Sequence, residues 1–295
     1  AVKLRRKITY TFVIYKTFPC FLLKMNDKSY LCCSLNNLIM ATISEIKNRL
    51  AALRKQMQTH QLSAFIVPST DPHSGEYVPE HWESRKWISG FTGSAGTAVI
   101  TLEDAGLWTD SRYFIQAEEQ LAGTGIRLFK DRLPETPSIT EWLGSILKKG
   151  DKVGIDGWVN SHQEASGIQQ ELKTYGVELE TMTQDIFDAI WENRPGLPQT
   201  PVFILDETRT GTSCTDKISR IQEAIAKNGV SAIILSALDE IAWTLNLRGD
   251  DVHCNPVFIS YLLISKEGHT LYILEEKITE EVRQYLLINS LFLSK

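Results

Sequence analysis

The sequence is poor in cysteine beyond its first forty residues. Of five cysteines, only Cys214 and Cys254 follow that point, and they form no C-x-x-C pair. A disulfide-stapled secreted domain is therefore excluded, because such folds depend on closely spaced cysteine pairs. We expect free thiols in a reducing compartment, and hence a cytoplasmic protein.

The sequence also lacks a surplus of basic charge and any long apolar run. It contains 31 Lys and Arg against 36 Asp and Glu, a formal net charge of −5. Nucleic acids and anionic membranes attract basic faces, so neither is an expected partner. A membrane-spanning helix would need about 20 consecutive apolar residues. The 295 residues, 43% of them hydrophobic, suffice for two folded domains.

The first forty residues differ from the rest of the sequence. They hold seven basic residues, a single acidic one (Asp27) and three of the five cysteines. A targeting peptide would need a longer apolar stretch than Ile8–Tyr15, followed by a small-residue cleavage site. Because Met40-Ala41-Thr42 resembles a native start, we interpret residues 1–40 as a non-native or disordered extension.

From residue 41 onward, apolar periodicity predicts alternating helices and strands. Apolar residues recur at helical spacing over Ser44–His60, and the run Ser63–Val67 predicts a buried strand that stops at Pro68. Two S-x-x-E capping boxes, at Ser138 and Ser161, predict helix starts. This alternation is typical of an α/β or mixed α+β fold. Further strands are expected at 97–102, 106–109, 126–129, 153–155 and 177–179.

A proline-rich segment divides the sequence into two domains. Residues 192–201 hold three prolines within seven positions, which neither a helix nor a central strand tolerates. We predict domain I over residues 41–191, a linker over 192–201 and domain II over 202–295.

Domain II repeats the pattern of domain I. The strand Ser63–Val67 corresponds to Ser231–Leu235 at an offset of 168 residues, and each strand follows an amphipathic helix. A Trp-x5-Gly frame then follows in both, at Trp87 and at Trp243. We predict two tandem copies of one fold. The second copy is shorter by roughly its last strand and two helices, so we expect the chain to stop inside domain II.

No segment of the sequence carries a complete catalytic motif. A glycine-rich run, Gly90–Thr97, would need a helix after it to cradle a phosphate, but a strand is predicted there. A tight turn therefore fits this run better than nucleotide binding. Ser94 lies outside any G-x-S-x-G elbow. The clusters His81–Glu83 and Asp250–His253 match no metal motif, and we interpret the second as a polar loop before Asn255.

Aromatic and basic side chains flank the glycine-rich run. One interpretation is that they pack in the core. Another is that they wall a pocket of a neighbouring subunit, because Trp and Arg are enriched in such contacts. Arg85, Trp87 and Phe91 are therefore our candidate substrate-proximal or interface residues. We assign no catalytic, cofactor-binding or metal-ligating residue.

Six stretches of the sequence together carry a family resemblance: 68–77, 88–97, 107–113, 190–195, 237–252 and 255–261. They resemble the N-terminal half of Xaa-Pro aminopeptidases (aminopeptidase P) of the long cytosolic kind, over about residues 43–288. The resemblance implies tandem creatinase N-terminal-type domains, each a ribonuclease H-like mixed sheet flanked by helices. This agrees with the internal repeat.

The resemblance also implies where catalysis lies in that family. A C-terminal domain of pita-bread fold cuts the bond before a proline at the second position of a peptide, using two metal ions, usually manganese. Its Asp-rich and His-Gly-x-Gly-His stretches have no counterpart here, so no metal ligand is carried over and no cofactor is expected in this chain. The N-terminal domains restrict access to the active site and assist homodimer formation.

We therefore expect this chain to be the non-catalytic N-terminal region of a Xaa-Pro aminopeptidase, inactive alone. Its expected partners are the absent pita-bread domain, a second copy, and peptides with proline at the second position. The alternative is a self-contained peptide-binding or pseudoenzyme module that uses the glycine-rich turn and its aromatic rim.

Overall fold

The structure, a computed structural model, describes residues 41–294 and, before them, the backbone of two short strands. These strands, β1 (Leu22–Met25) and β2 (Lys28–Leu31), pair antiparallel. The interpretation of residues 1–40 as an extension otherwise lies outside the described residues and stays a prediction. Within the described part of the chain, no helix is both long and apolar enough to cross a bilayer.

Domain I is built on a six-stranded mixed sheet of order β6-β5-β4-β3-β7-β8. The central strand β3 pairs antiparallel with β4 and parallel with β7. Each predicted strand is present within three residues of its expected bounds. The strands are β3 (Ala64–Val67), β4 (Thr97–Thr101), β5 (Ala105–Thr109), β6 (Arg127–Lys130), β7 (Lys152–Asp156) and β8 (Glu178–Met182).

Five helices flank this sheet, and capping boxes begin three of them. Ser138 and Ser161 cap two of these helices as the sequence predicted, and Thr42 caps the first helix in the same way. A box satisfies two otherwise unpaired N–H groups at a helix start. The helices are α1 (Ile43–Thr59), α2 (Ser84–Ser89), α3 (Phe114–Leu121), α4 (Ile139–Ile146) and α5 (His162–Thr174).

Domain II contains a four-stranded sheet of order β10-β12-β13-β14 and a two-stranded ribbon, β9-β11. Its strands are β9 (Phe203–Ile204), β10 (Ala232–Leu235), β11 (Leu247–Arg248), β12 (Tyr261–Ser265), β13 (His269–Tyr272) and β14 (Leu291–Ser294). Its helices are α6 (Glu207–Thr210), α7 (Cys214–Lys227), α8 (Leu238–Leu245) and α9 (Glu280–Ile288). Short 3-10 helices occur at Glu80–Trp82, Ile186–Ala189 and Glu275–Lys277.

The two domains share one topology, which confirms the predicted tandem repeat. In each, a long helix leads into the first strand, two antiparallel pairings follow, and after a further helix the fourth strand of the sheet joins in parallel. The helices α2 and α8 also end alike. Each stops at a left-handed residue, Gly90 or Asn246, three positions after its tryptophan.

The domains differ in how the first strand is covered. In domain I, β3 pairs on both edges, and α4 and α5 cover the sheet face that holds Ile66. Among the described strands, β10 pairs only with β12. Ile66 is 3% exposed, whereas its counterpart Ile234 is 67% exposed. The described part of domain II has no counterparts of the strands β7 and β8 or of the helices α4 and α5. The sequence pattern predicted the absence of two helices but of only one strand.

The repeat yields a matched pair of substitutions. Ile66→Ala should lower the free energy of unfolding by about 2–5 kcal/mol, because it opens a cavity in a packed core. Ile234→Ala should cost less than about 1 kcal/mol, because this side chain already contacts water. Urea denaturation of both variants measures the difference. Equal losses at the two positions would contradict the described exposure of β10.

Candidate functional site

The glycine-rich run forms a closely packed turn between α2 and β4. Gly90 ends α2 in the left-handed region, at φ 72°. A side chain at Gly93 would place its Cβ 2.3 Å from Cζ of Phe91, so only glycine fits there. The expected tight turn is therefore present, and β4 rather than a helix follows it. A phosphate cradle would require the N–H groups of a following helix.

Arg85 holds this turn from the inside. The side chain is 5% exposed. Its Nε donates to Oγ of Ser69 at 2.7 Å, and its two terminal nitrogens donate to the carbonyls of Phe91 and Gly93, each at 2.5 Å. Burial lowers the pKa of Arg85 to about 10, so the guanidinium remains charged at neutral pH. Two of the three donor nitrogens are thus engaged by the turn, and the third by Ser69.

The other two candidate residues are also packed within the domain. Trp87 stacks on Trp191 with ring centroids 5.1 Å apart, and the guanidinium of Arg49 lies 4.8 Å from its ring centroid. Phe91 is fully buried and meets Tyr113 edge-on. The substrate-proximal or interface role of Arg85, Trp87 and Phe91 stays a prediction. The structure gives each of them, in addition, a packing role.

The surface above the turn is a cleft of about 460 Å³, which we name the turn cleft. Residues of both domains line it. Ser94 lies on its wall and pairs with the Tyr113 hydroxyl at 2.7 Å. The residues that line the cleft include Glu76, Tyr77, Trp82, Lys86, His253 and Cys254.

The surroundings of two glycines, one in the turn and one in α5, predict opposite effects on stability when each is replaced by alanine. Gly93→Ala should destabilise the protein by about 1–3 kcal/mol, because the new methyl group overlaps Phe91. Gly167→Ala should stabilise it by about 0.5–1 kcal/mol, because this glycine lies within α5 with open space around it. Thermal unfolding of the two variants gives the comparison. A neutral Gly93→Ala would show that the turn is loosely packed.

One residue of the cluster Asp250–His253, Asp251, has a role beyond that of a polar loop residue. Asp251 is buried, and both its carboxylate oxygens accept hydrogen bonds from Nζ of Lys277, one of them at 2.6 Å. It also accepts from Oγ1 of Thr200 at 2.9 Å and from N of Ile259 at 2.7 Å. Asp251 therefore ties the linker, its own loop and the 3-10 helix before α9 together.

The described residues do not fit a metal centre. No group of three or more His, Cys, Asp or Glu side chains converges within the part of the chain that the structure describes. Closed metal sites need three or four such ligands.

A second cleft, of about 740 Å³, lies between the domains, and sequence reasoning missed it. We name it the interdomain cleft. The residues that line it come from separate segments of domain I, the linker and domain II, so no local sequence pattern predicts it. It includes the aromatic residues Trp82, Trp158 and Tyr261 and the polar residues His73, Asp188 and Arg194.

His73 joins the two domains at this cleft. Its ring stacks on Tyr261 with centroids 4.6 Å apart, and its Nε2 lies 3.2 Å from the carbonyl oxygen of Ser260. Because a carbonyl only accepts, Nε2 carries the proton and Nδ1 is an acceptor. Burial lowers the pKa of His73, which keeps the ring neutral at pH 7.

The fold therefore places the chain in the class of proteins that contain two consecutive α/β domains of the same topology. Comparison with sequence families agrees. A Creatinase/Prolidase N-terminal domain profile matches residues 49–190, and a second profile of the same description matches residues 193–293. The chain belongs to this family, as the N-terminal creatinase-like region of Xaa-Pro aminopeptidases.

Individual relatives support that placement. The chain is 41% identical over 244 residues to a probable Xaa-Pro aminopeptidase P of Sordaria macrospora, covering 82% of this chain and 40% of the relative. It is 39% identical over 248 residues to human Xaa-Pro aminopeptidase 2, covering 83% of this chain and 36% of the relative. The chain therefore spans about 40% or less of the length of these curated relatives.

A solved structure shows the same fold. X-prolyl aminopeptidase from Caenorhabditis elegans, described as a cytosolic enzyme with a di-nuclear active site, superposes with a TM-score of 0.80 at 30% sequence identity. The match covers 84% of this chain and 42% of that chain. The predicted fold class, tandem creatinase N-terminal-type domains with a mixed sheet flanked by helices, is confirmed.

Proposed function

We propose that this chain is the non-catalytic N-terminal region of a cytoplasmic Xaa-Pro aminopeptidase, and that it shapes access to the active site and assists dimer assembly. Peptides with proline at the second position are the proposed substrates of the whole enzyme. Its two manganese ions are proposed to lie in a pita-bread domain outside residues 41–294.

One observation carries this proposal. The superposition on the C. elegans enzyme uses most of this chain but less than half of that enzyme, whose active site is di-nuclear. The described residues of this chain offer no group of ligands for such a centre. Amide hydrolysis by metal-activated water needs that centre. The remaining task for the two domains is to hold and shape surfaces around it.

Three contacts make the domains suited to a shaping role. Arg194 in the linker forms ion pairs with Asp185 at 2.7 Å and Asp188 at 2.6 Å, and its side chain is buried. Across the cleft, His73 bonds the backbone of domain II. The linker is fixed at one end, and the domains contact each other, so both features favour a defined arrangement of the two domains. Domains that shape access to an active site require such a defined arrangement.

A peptidase assay tests this proposal. The purified chain should release no N-terminal residue from Xaa-Pro peptides, with or without added manganese, because no metal-activated water is available in these domains. Chromatography of the products measures release. Robust turnover that a chelator abolishes would overturn the proposal.

One observation favours the alternative, a self-contained peptide-binding or pseudoenzyme module: the lining of the turn cleft includes an exposed aromatic residue, Tyr77, and a basic residue, Lys86. Such a module would bind Xaa-Pro peptides through that cleft, and Tyr77→Ala would weaken binding. The access region proposed above predicts no saturable heat when such peptides are added to the chain. Calorimetry of the two proteins separates the candidates.

A further inference from the structure

Two partly buried histidines of domain I hold the segments that lie across the interdomain cleft. His73 donates from Nε2 to the carbonyl of Ser260 in domain II at 3.2 Å, and its ring stacks on Tyr261. His81 donates from Nδ1 to the carbonyl of Pro195 in the linker at 2.7 Å. We name the two histidines and their two carbonyl acceptors the histidine latch.

The geometry around His73 accommodates a neutral ring and not a charged one. A neutral imidazole has one N–H donor, whereas an imidazolium has two. Ser260 uses the one donor of His73, and Nδ1 is buried without a hydrogen-bond partner among the described residues. A proton on Nδ1 places a charged donor where it has no acceptor, which costs free energy. The ring can therefore take up this proton only if the contact loosens and water reaches Nδ1.

The ionisable groups that face His73 do not remove this cost. Asp71, in the same loop, accepts hydrogen bonds through Oδ1 from N of His73 and N of Gly75. Its Oδ2, like Nδ1 of His73, has no partner among the described residues, so the two atoms do not bond each other. Tyr261 faces the ring from domain II. Burial lowers the pKa of His73, and the opposing effects of Asp71 and the Ser260 carbonyl are smaller.

Three charged side chains face His81, and they leave it neutral at pH 7 as well. Arg194 forms ion pairs with Asp185 and Asp188, and its Nε donates to the carbonyl of His81 at 3.0 Å. Burial lowers the pKa of His81, as the guanidinium of Arg194 also does. The Pro195 carbonyl and the two carboxylates raise the pKa by less. A proton on His81 therefore adds a second cation beside Arg194.

We propose that the histidine latch holds domain I to the linker and to domain II at neutral pH, and that it opens when His73 and His81 take up protons. Opening exposes both rings to water, where histidine has its ordinary pKa of about 6.5. The latch is therefore fully closed above about pH 6.5 and weakens as the pH falls towards the lowered pKa values of the closed state. At pH 5.5 the equilibrium constant for opening should exceed that at pH 7.5 by up to about 10-fold for each histidine.

The latch goes beyond the proposed function and is separable from it. Its opening is a change in the contacts between the domains, which can be measured without a catalytic centre. Absence of peptidase activity and a pH-dependent domain contact are therefore independent results.

Nuclear magnetic resonance of the full chain, labelled at histidine and tyrosine, tests the proposal without any substitution in the measured protein. The ring of His73 should titrate below pH 6.5, and the nuclear Overhauser effect between the rings of His73 and Tyr261 should disappear with the same midpoint. The spectrum of His73→Phe identifies the His73 signals. Titration of His73 at or above pH 6.5, or a ring contact that persists after protonation, would overturn the proposal.

Hydrogen exchange of variants assigns the pH dependence to the two histidines. After correction for the effect of pH on the chemical exchange rate, the rate in residues 71–75 and 192–201 should be several-fold to about 100-fold higher at pH 5.5 than at pH 7.5. The double variant His73→Phe, His81→Phe keeps both rings but cannot titrate, so this ratio should fall to near 1 whatever its rate at pH 7.5. His162→Phe, at an exposed histidine that begins α5, is the matched control and should keep the full ratio. An equal ratio in the double variant and the control would contradict the proposal.

Discussion

Replacing Lys277 with methionine is expected to lower the free energy of unfolding by about 3–5 kcal/mol. Lys277 and Asp251 are fully buried side chains, and the ammonium donates to both carboxylate oxygens. The substitution leaves the carboxylate of Asp251 inside the protein without its counter-charge. Breaking one side of a buried pair costs more than the pair itself contributes, because the remaining charge stays desolvated.

The consequence should extend beyond domain II. Asp251 also accepts hydrogen bonds from the hydroxyl of Thr200 in the linker and from the backbone N–H of Ile259. Ile259 lies two residues before β12. An unpaired carboxylate draws in water or moves outward, and either response loosens these contacts. We therefore expect faster amide hydrogen exchange around the linker end and the start of β12 in the Lys277→Met protein.

A surface ion pair provides the matched control for this result. Lys152 lies 3.5 Å from Glu180, and both side chains are largely open to solvent. Lys152→Met should cost less than about 1 kcal/mol, as exposed pairs usually do. Urea denaturation at pH 7 compares the two variants. A loss for Lys277→Met no larger than for Lys152→Met would show that Asp251 tolerates the missing partner.

The second large effect is expected at Arg85. Arg85→Met should lower the free energy of unfolding by roughly 3 kcal/mol, because it leaves the buried carbonyls of Phe91 and Gly93 without donors. Arg85→Lys should restore little of this stability. One ammonium group cannot reproduce the planar set of N–H donors with which the guanidinium bonds Ser69 and both carbonyls.

Replacement of Arg112 is the control that distinguishes the loss of buried hydrogen bonds at Arg85 from the mere loss of a positive charge. Arg112 is an exposed arginine that pairs with Asp110, so Arg112→Met removes the same charge from the surface. We expect a loss below about 1 kcal/mol there. Thermal and urea unfolding measure both variants. Full stability of Arg85→Lys would indicate that a single hydrogen bond suffices to hold the turn.

Local features of the fold could be predicted from the sequence because local residues determine them. The capping boxes at Ser138 and Ser161 act over three residues, and both form as expected. Strand positions followed from short apolar runs. The repeat was visible because the same helix, strand and tryptophan order occurs twice along the chain.

Features that depend on distant contacts could not be predicted. Asp251 looked like part of a polar loop because Lys277, its partner, lies 26 residues away. The environment of Arg85 depends on carbonyls that only the folded turn brings together. The interdomain cleft joins His73, Trp158 and Tyr261 from segments far apart in the sequence, and no single-segment pattern marks it.

The number of manganese ions held by the purified chain tests the central claim most directly. After dialysis against manganese and removal of free metal, elemental analysis by mass spectrometry gives the bound ions per chain, and a Xaa-Pro peptide is assayed on the same sample. The account predicts no stoichiometric manganese and no hydrolysis, because catalysis belongs to a metal-binding domain outside residues 41–294. Two retained ions per chain with chelator-sensitive hydrolysis would contradict it.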